Sequence, residues 1–359
     1  MSQVTAAAVR ELAKSCGFEL AGVTPAIPAG DRSRYHQWAG AGFAGEMRYL
    51  TDRRAAVRDD PRGLLASAQA VVCVGKLYQT RQPRSTEFGS MEFGGAGRGW
   101  ISRYAWGDDY HAVVRRGLER LDGLLRERAG AEYESRICVD TAPLLERSYA
   151  RLAGLGWIGK NTCLIHQGGG SWYFLGELLV SIPIAGDARC AHPPDRCGTC
   201  RRCIEACPTG AIVPAQSAPG FTIDAGRCIS YFTIELRGAI PEEHRPALGA
   251  HVFGCDICQE VCPWNRRAPE TAEPAFAARH FAPPLERLAA VTEEEFRAMF
   301  RRTPVERARY WGYLRNVAVA MGNSRLEKFR GPLEKLAESP HPVVAEHARW
   351  ALRRLRVPE

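Results

Sequence analysis

Eight cysteines between Cys197 and Cys262 constrain this chain more than any other feature. The first four read Cys197-x2-Cys200-x2-Cys203-x3-Cys207-Pro208. A shorter run, Cys255-x2-Cys258-x3-Cys262-Pro263, lacks one cysteine, and Cys228 is placed to replace it. Three thiolates two residues apart wrap one cluster, and the fourth, set off by three residues and a proline, points to a neighbouring one. On that logic one [4Fe-4S] cluster takes Cys197, Cys200, Cys203 and Cys262. The other takes Cys207, Cys228, Cys255 and Cys258. Structural zinc is the bland alternative, but zinc ribbons pair two C-x2-C units, whereas both runs here end in x3-Cys-Pro. Such clusters move one electron at a time, so this segment reads as an electron conduit and names no substrate by itself.

The other cysteines fit the same chemistry. Thirteen in one chain, in a reducing compartment, favour metal or redox work over disulfides. A cytoplasmic protein is expected: no apolar run reaches the roughly 20 residues that span a bilayer, and the longest, Trp172 to Ile184, is broken by Glu177 and Pro183. Near the N-terminus Val4, Ala8, Leu12 and Cys16 recur four apart, which suits an amphipathic helix rather than a signal peptide. There is no twin-arginine signal, so no membrane partner is expected.

At 359 residues the chain exceeds what one core comfortably serves, and two or three domains are expected. The overall class reads as α+β multidomain. Residues 1 to 185 form an α/β domain, with strands at Val71–Tyr78, Arg136–Val139, Asn161–His166 and Trp172–Ile182 and helices at Asp109–Arg128 and Pro143–Ala153. From Gln79 to Gly99 the chain turns polar and Gly-rich, as a long loop or lid over a site would. Residues 186 to 270 form a ferredoxin-like two-cluster domain. From 271 to 359, helices at Val305–Met321, Pro332–Glu338 and Pro342–Leu355 resemble HEAT-type repeats, which must dock on a neighbour to bury their apolar faces.

Charge concentrates in that last segment. Residues 301 to 359 carry 13 Lys and Arg against 6 Asp and Glu, a difference of +7 in a chain whose total is +8. A basic helical module beside a redox site suits a polyanion, nucleic acid first among them, although a charged face is commonly just solvated.

Two motifs are set aside. Gly154-Leu155-Gly156-Trp157-Ile158-Gly159 matches a dinucleotide fingerprint in letters, but a helix precedes it where a strand is required, so Gly154 and Gly156 read as a helix end and turn. Asp109-Tyr110-His111 opens like the D-x-H-x-x-G motif that supplies histidine to cobalt, yet Val114 stands where the glycine should be. Asp140 is more informative. It closes the apolar run Ile137-Cys138-Val139 and precedes Thr141-Ala142-Pro143, so it is either a helix N-cap or a proton donor in a strand-end crevice.

Four stretches then carry a family likeness. They are Cys138-Val-Asp140-Thr-Ala-Pro-Leu-Leu-Glu-Arg147, Gly156-Trp-Ile-Gly-Lys-Asn161-Thr162, Arg227-Cys-Ile-Ser-Tyr-Phe-Thr-Ile-Glu-Leu-Arg-Gly-Ala-Ile-Pro241, and Gly254-Cys-Asp-Ile-Cys-Gln-Glu-Val-Cys-Pro-Trp-Asn265. With them the chain resembles the epoxyqueuosine reductases, from its N-terminal helix through its C-terminal repeats.

That resemblance implies a cobalamin in the N-terminal domain, held base-off with no histidine lower ligand. Two [4Fe-4S] clusters would feed it from an external low-potential donor. It also implies a tRNA substrate whose wobble epoxyqueuosine becomes queuosine, and a monomer is expected. By likeness Asp140 is the proton donor, for which burial beside an apolar corrin should raise its pKa. Asp140, Arg58, Tyr104, Lys160, Asn161 and Ser230 fall in the corrin-lining segments. Arg237, Arg349, Arg353 and Arg354, with Arg356 beside them, are expected to meet tRNA phosphates. Tyr231, Phe232 and Trp264 would stack on bases or shield the clusters, with shielding favoured for Trp264. A reductive dehalogenase would share the corrin domain and both clusters, but lacks a reason for basic repeats. A ferredoxin module docking on RNA would need no corrin.

Overall fold

The computed structural model describes residues 4–81, 97–186, 193–215 and 220–355. Most of the loop expected to act as a lid lies outside them, as does Arg356. Among the described residues no helix is long and apolar enough to cross a membrane.

The N-terminal unit is built on strands β1 (Leu20–Pro25), β2 (Ala70–Leu77), β3 (Ser135–Cys138) and β4 (Tyr173–Val180), in the order β1-β2-β4-β3. Every neighbouring pair is antiparallel. The α/β reading is corrected to α+β here, because alternation of strands and helices along a chain does not fix the direction in which strands pair. Strand β2 is buried along its whole length and alternates between two cores. Val72 and Val74 pack with helices α1 (Ala6–Ser15) and α2 (Tyr110–Ala129), through Val9, Ala13, Leu118 and Leu121. Val71 and Cys73 face the other way, toward Tyr149 and Ala150 of helix α3 (Glu146–Leu152). Glu177 on β4 lies in register between Cys73 and Cys138.

The expected strand at Asn161–His166 is only a two-residue pairing, Trp157–Ile158 with Leu164–Ile165. Gly154, at φ 81°, ends the turn after α3, and a Cβ on Gly156 would lie 2.2 Å from the Ile165 carbonyl oxygen. The glycines thus serve a helix end and a tight hairpin.

The largest core is shared by Trp100 and Trp106, by Phe232 and Phe253 of the cluster-bearing segment, and by Tyr313, Phe329 and Trp350 of the C-terminal helices. Those helices are α4 (Leu285–Ala290), α5 (Glu293–Met299), α6 (Arg309–Ser324), α7 (Arg330–Ala337) and α8 (Pro342–Leu355). Close contact between α6 and α8 depends on Gly322, where a Cβ would stand 2.7 Å from the Ala351 Cα.

Arg315, only 1% exposed, donates to the carbonyls of Phe232, Leu236 (2.9 Å) and Gly238 (2.7 Å). Asn316 donates to those of Thr233 and Val252, both at 2.9 Å. Two adjacent polar residues of α6 therefore satisfy carbonyls that the π-helical turn Tyr231–Glu235 and its neighbours would otherwise bury unpaired.

Candidate active site

A cavity of about 920 Å³ opens between the N-terminal unit and the cluster-bearing segment. Its walls mix apolar Trp38, Leu144, Leu145, Trp157 and Phe221 with seven cationic side chains (Arg34, Arg54, Arg58, Arg147, Arg151, Lys160, Arg307) and four acids (Asp31, Asp140, Glu146, Asp195). That excess of positive charge favours an anionic ligand.

Asp140 enters this cavity from a turn with φ 54°. Its side chain is 53% exposed, and it is the cavity that it faces. It does not cap a helix: α3 starts only at Glu146, with Leu145 at its N-cap. The carboxylate instead lies 3.3 Å from Nε2 of His111, whose Nδ1 sits 2.6 Å from Oδ1 of Asp109. Asp109 also caps α2, accepting from the His111 backbone N–H at 3.0 Å.

Burial alone would raise the Asp140 pKa, but hydrogen bonds from His111 and Tyr110 and the nearby Arg307 outweigh it and hold the carboxyl below its usual range. The cavity wall therefore supplies donors that favour the ionised Asp140, and the rise expected from an apolar corrin beside it is a separate contribution. Burial opposes the charge on His111 too, yet its two carboxylate partners lift it to about 9. At neutral pH the pair is an imidazolium hydrogen-bonded to a carboxylate.

His111, Tyr110 and Arg307 were not singled out as site residues in the sequence. In the Asp109-Tyr110-His111 string the His111 ring lies between the Asp109 and Asp140 carboxylates. Arg307 reaches the cavity from beyond residue 300, holding Glu235 with its Nε at 2.5 Å and stacking 5.5 Å from the centre of the Tyr49 ring.

The eight cysteines gather as two groups. Cys203 neighbours Cys262, Cys197 and Cys200. Cys255 neighbours Cys228 and Cys207, and Cys258 neighbours Cys255 and Cys228. A ninth thiol, Cys163, hydrogen-bonds with Cys258. Among the described residues no three His, Cys, Asp or Glu side chains converge on a single metal ion; a four-iron cluster instead spreads its four thiolates around an inorganic core.

Of the residues expected to line the corrin, Arg58 and Lys160 border the cavity with Asp140, Asn161 and Ser230 lie against the cysteine loops, and Tyr104 does neither. Arg58 lines the cavity, 7% exposed, with Nη1 on the carbonyls of Tyr49 (3.2 Å) and Arg54 (3.1 Å). Lys160 lines it as well, and its ammonium donates to the carbonyls of Gly198 (2.6 Å) and Cys200 (3.0 Å). One side chain thus joins the cavity wall to the first cysteine loop. Asn161 faces the second, donating to the Cys258 carbonyl at 3.1 Å. Ser230 hydrogen-bonds the Cys228 sulfur. Tyr104 packs against Tyr110 and Phe253, with ring centres 6.2 and 5.9 Å away.

Tyr231 and Phe232 are buried, and Trp264 packs edge-on against Trp157 at 4.9 Å, so all three serve packing in this structure. Arg237 donates to the carbonyls of Arg307 and Ala308. Arg349 reaches the Ala337 carbonyl at 3.1 Å, Arg353 lies 3.5 Å from Glu242, and Arg354 lies over the Trp350 ring at 5.5 Å.

A conduit of paired thiol groups set against a large cationic cavity defines an iron-sulfur oxidoreductase. Comparison with known proteins makes the class specific. Residues 196–265 match the family model of a 4Fe-4S double cluster binding domain, and residues 58–141 match that of Epoxyqueuosine reductase QueG, DUF1730. Over 351 residues the chain is 40% identical to the epoxyqueuosine reductase of Xanthomonas campestris pv. campestris, covering 97% of this chain and 95% of that one. It is 37% identical to that of Escherichia coli K12 over 347 residues, covering 96% and 88%. The chain belongs to the epoxyqueuosine reductase family.

Among solved structures, an epoxyqueuosine reductase with a tRNA-Tyr epoxyqueuosine-modified stem loop superposes with a TM-score of 0.82 at 29% identity, covering 97% of this chain and 89% of that one. The Bacillus subtilis enzyme, with its aspartate catalytic loop swung out of the active site, gives 0.82 at 28% identity, covering 98% and 90%.

Proposed function

We propose that this chain reduces epoxyqueuosine to queuosine at the wobble position of tRNA anticodons, with Asp140 as the proton donor in the cavity. The observation that carries the site assignment is the placement of the Asp140 carboxyl in a cationic cavity whose wall is joined by Lys160 to the loop of Cys197 and Cys200. Removing the epoxide oxygen takes two electrons and two protons and releases water, leaving the alkene.

The donor sets fit the groups this chemistry needs. Cys197, Cys200, Cys203 and Cys262 would hold one [4Fe-4S] cluster and Cys207, Cys228, Cys255 and Cys258 the other. The cavity, near the upper end of the roughly 300 to 1,000 Å³ usual for ligand sites, has apolar walls for a corrin face and cations for its polar edge. Its described lining contains no histidine or cysteine, which suits a cobalamin held base-off. Arg58 and Lys160 are the side chains we assign to it. When bound, the cobalamin supplies the two-electron reducing centre that no side chain can.

The protein's own share is orientation, exclusion of water and a placed proton. The resident proton sits on the His111 imidazolium, and Asp140 takes it across their hydrogen bond and passes it to the departing oxygen, the second proton coming from solvent. Arg307, clamped by Glu235 at the rim, is suited to a phosphate or base face of the entering nucleotide. That nucleotide leaves the anticodon stack at a cost of a few kcal/mol. Anaerobic incubation with epoxyqueuosine-containing tRNA, cobalamin and a strong reductant, followed by nucleoside mass analysis, tests the reading. Loss of one oxygen mass is expected, and an unchanged nucleoside with both clusters intact would overturn it.

A further inference from the structure

Glu177 is fully buried, and neither of its carboxyl oxygens meets an N–H or hydroxyl donor among the described residues. Its hydrogen-bonding neighbour is another carboxyl, that of Glu146. Two carboxyls in contact repel each other when both are ionised, and the full burial of Glu177 withholds water from that charge, so the pair retains one proton between them. Burial and mutual repulsion push both groups above the ordinary carboxylate range. Glu146 is also a lining residue of the cavity, and its Oε1 accepts the backbone N–H of Asp140 at 2.5 Å.

We propose that Glu146 and Glu177 form a protonation-dependent latch, in which the shared proton keeps Glu146 in place to hold the Asp140 turn, and with it the acid, inside the cavity. Glu146 is then a positioning residue acting through Asp140, and Glu177 acts through Glu146. The left-handed turn at Asp140, at φ 54°, is a conformation that residues other than glycine seldom adopt, and the Glu146 contact anchors it. Losing the shared proton leaves two adjoining anions, and Glu146, which borders the cavity, relieves their repulsion by swinging toward it and releasing the Asp140 amide.

The groups facing the pair do not replace the proton. Cys73 on β2 and Cys138 on β4 are thiols whose own pKa values burial raises. Arg136 and Arg115 act toward Cys138, Arg147 toward Glu146, and Asp140 adds negative charge. Tyr110 and His111 on α2 engage Asp140.

The latch rests on Asp140 being the acid, but its test does not need turnover. Amide exchange at Asp140 in the full-length protein, normalised to unstructured-peptide rates, is followed from about pH 6 to about pH 10. The parent should lose protection as pH rises. Glu177→Gln, which donates to Glu146 without titrating, should stay protected throughout. Glu146→Ala should lose protection at every pH, together with roughly tenfold or more in kcat at little change in KM, and Glu146→Gln should restore both. If Glu146→Ala fails to fold, the Glu177→Gln comparison still decides. The same alkaline loss of protection in Glu177→Gln as in the parent, which would trace it to His111, overturns the latch. Parental protection in a folded Glu146→Ala does so too. Normal exchange behaviour combined with no turnover in any variant would instead count against the catalytic reading of Asp140.

Discussion

At the scale of single residues the site turns on Asp140 and its partners. Asn tolerates the left-handed conformation as well as Asp does, so Asp140→Asn should keep the turn and the cavity while losing the proton. Cluster and cobalamin spectra should be parental and turnover lower by roughly 10²-fold; near-parental turnover under saturating reductant would remove Asp140 from the mechanism. His111 makes a separate, thermodynamic prediction. Its pKa rises from 6.5 to about 9 on folding, so its contribution to stability is fully present below pH 6.5 and is lost as pH climbs through 9. Denaturant titrations of the parent and His111→Gln should therefore differ in the acid and neutral range and converge at high pH. The sequence singles out Asp140 but not its environment. Asp140 stands out at the end of an apolar run, whereas His111 lies 29 positions earlier and only the packing of α2 beside β3 makes the two neighbours.

At the scale of elements, most of what local pattern controls was legible. The long helix expected from Asp109 runs Tyr110–Ala129, and the last helix runs Pro342–Leu355 as expected, because caps and 3.6-residue periodicity are local signals. Strand β1 was not anticipated, since Leu20–Pro25 contains a glycine and a proline and gains its order by pairing along β2. The antiparallel order likewise depends on contacts distant in sequence. Gly156 sits in a hairpin that carries Lys160 and Asn161. With a Cβ there only 2.2 Å from the Ile165 carbonyl, Gly156→Ala should lose about 1 to 3 kcal/mol, read as a lower thermal midpoint. The cysteine segment offers a test of its own. Cys228→Ala should reduce reconstituted iron from about eight toward about four per chain, with the spectrum of one cluster surviving; an unchanged iron count and unchanged spectra would reassign that ligand.

At the scale of the whole molecule the question is how the basic C-terminal helices relate to the cavity. If Arg349, Arg353 and Arg354 meet phosphates, neutralising all three should weaken tRNA binding and flatten its salt dependence while leaving iron and cobalamin content unchanged. An equal salt slope in variant and parent would place the grip elsewhere, for example at Arg307 and Arg237. Arg315→Met should be more damaging than any surface substitution. It strips three carbonyls of a charged donor in a buried seam, at a cost of about 2 kcal/mol or more.

That seam also governs reach. Because Arg315 and Asn316 bolt α6 onto the π-helical turn beside Cys228, and one core runs through both, the C-terminal helices cannot swing relative to the thiol groups. Helices and cavity are thus held at a fixed separation, and if the basic helices grip the RNA backbone, the nucleotide presented to the cavity would be the one lying at that span along the stem loop.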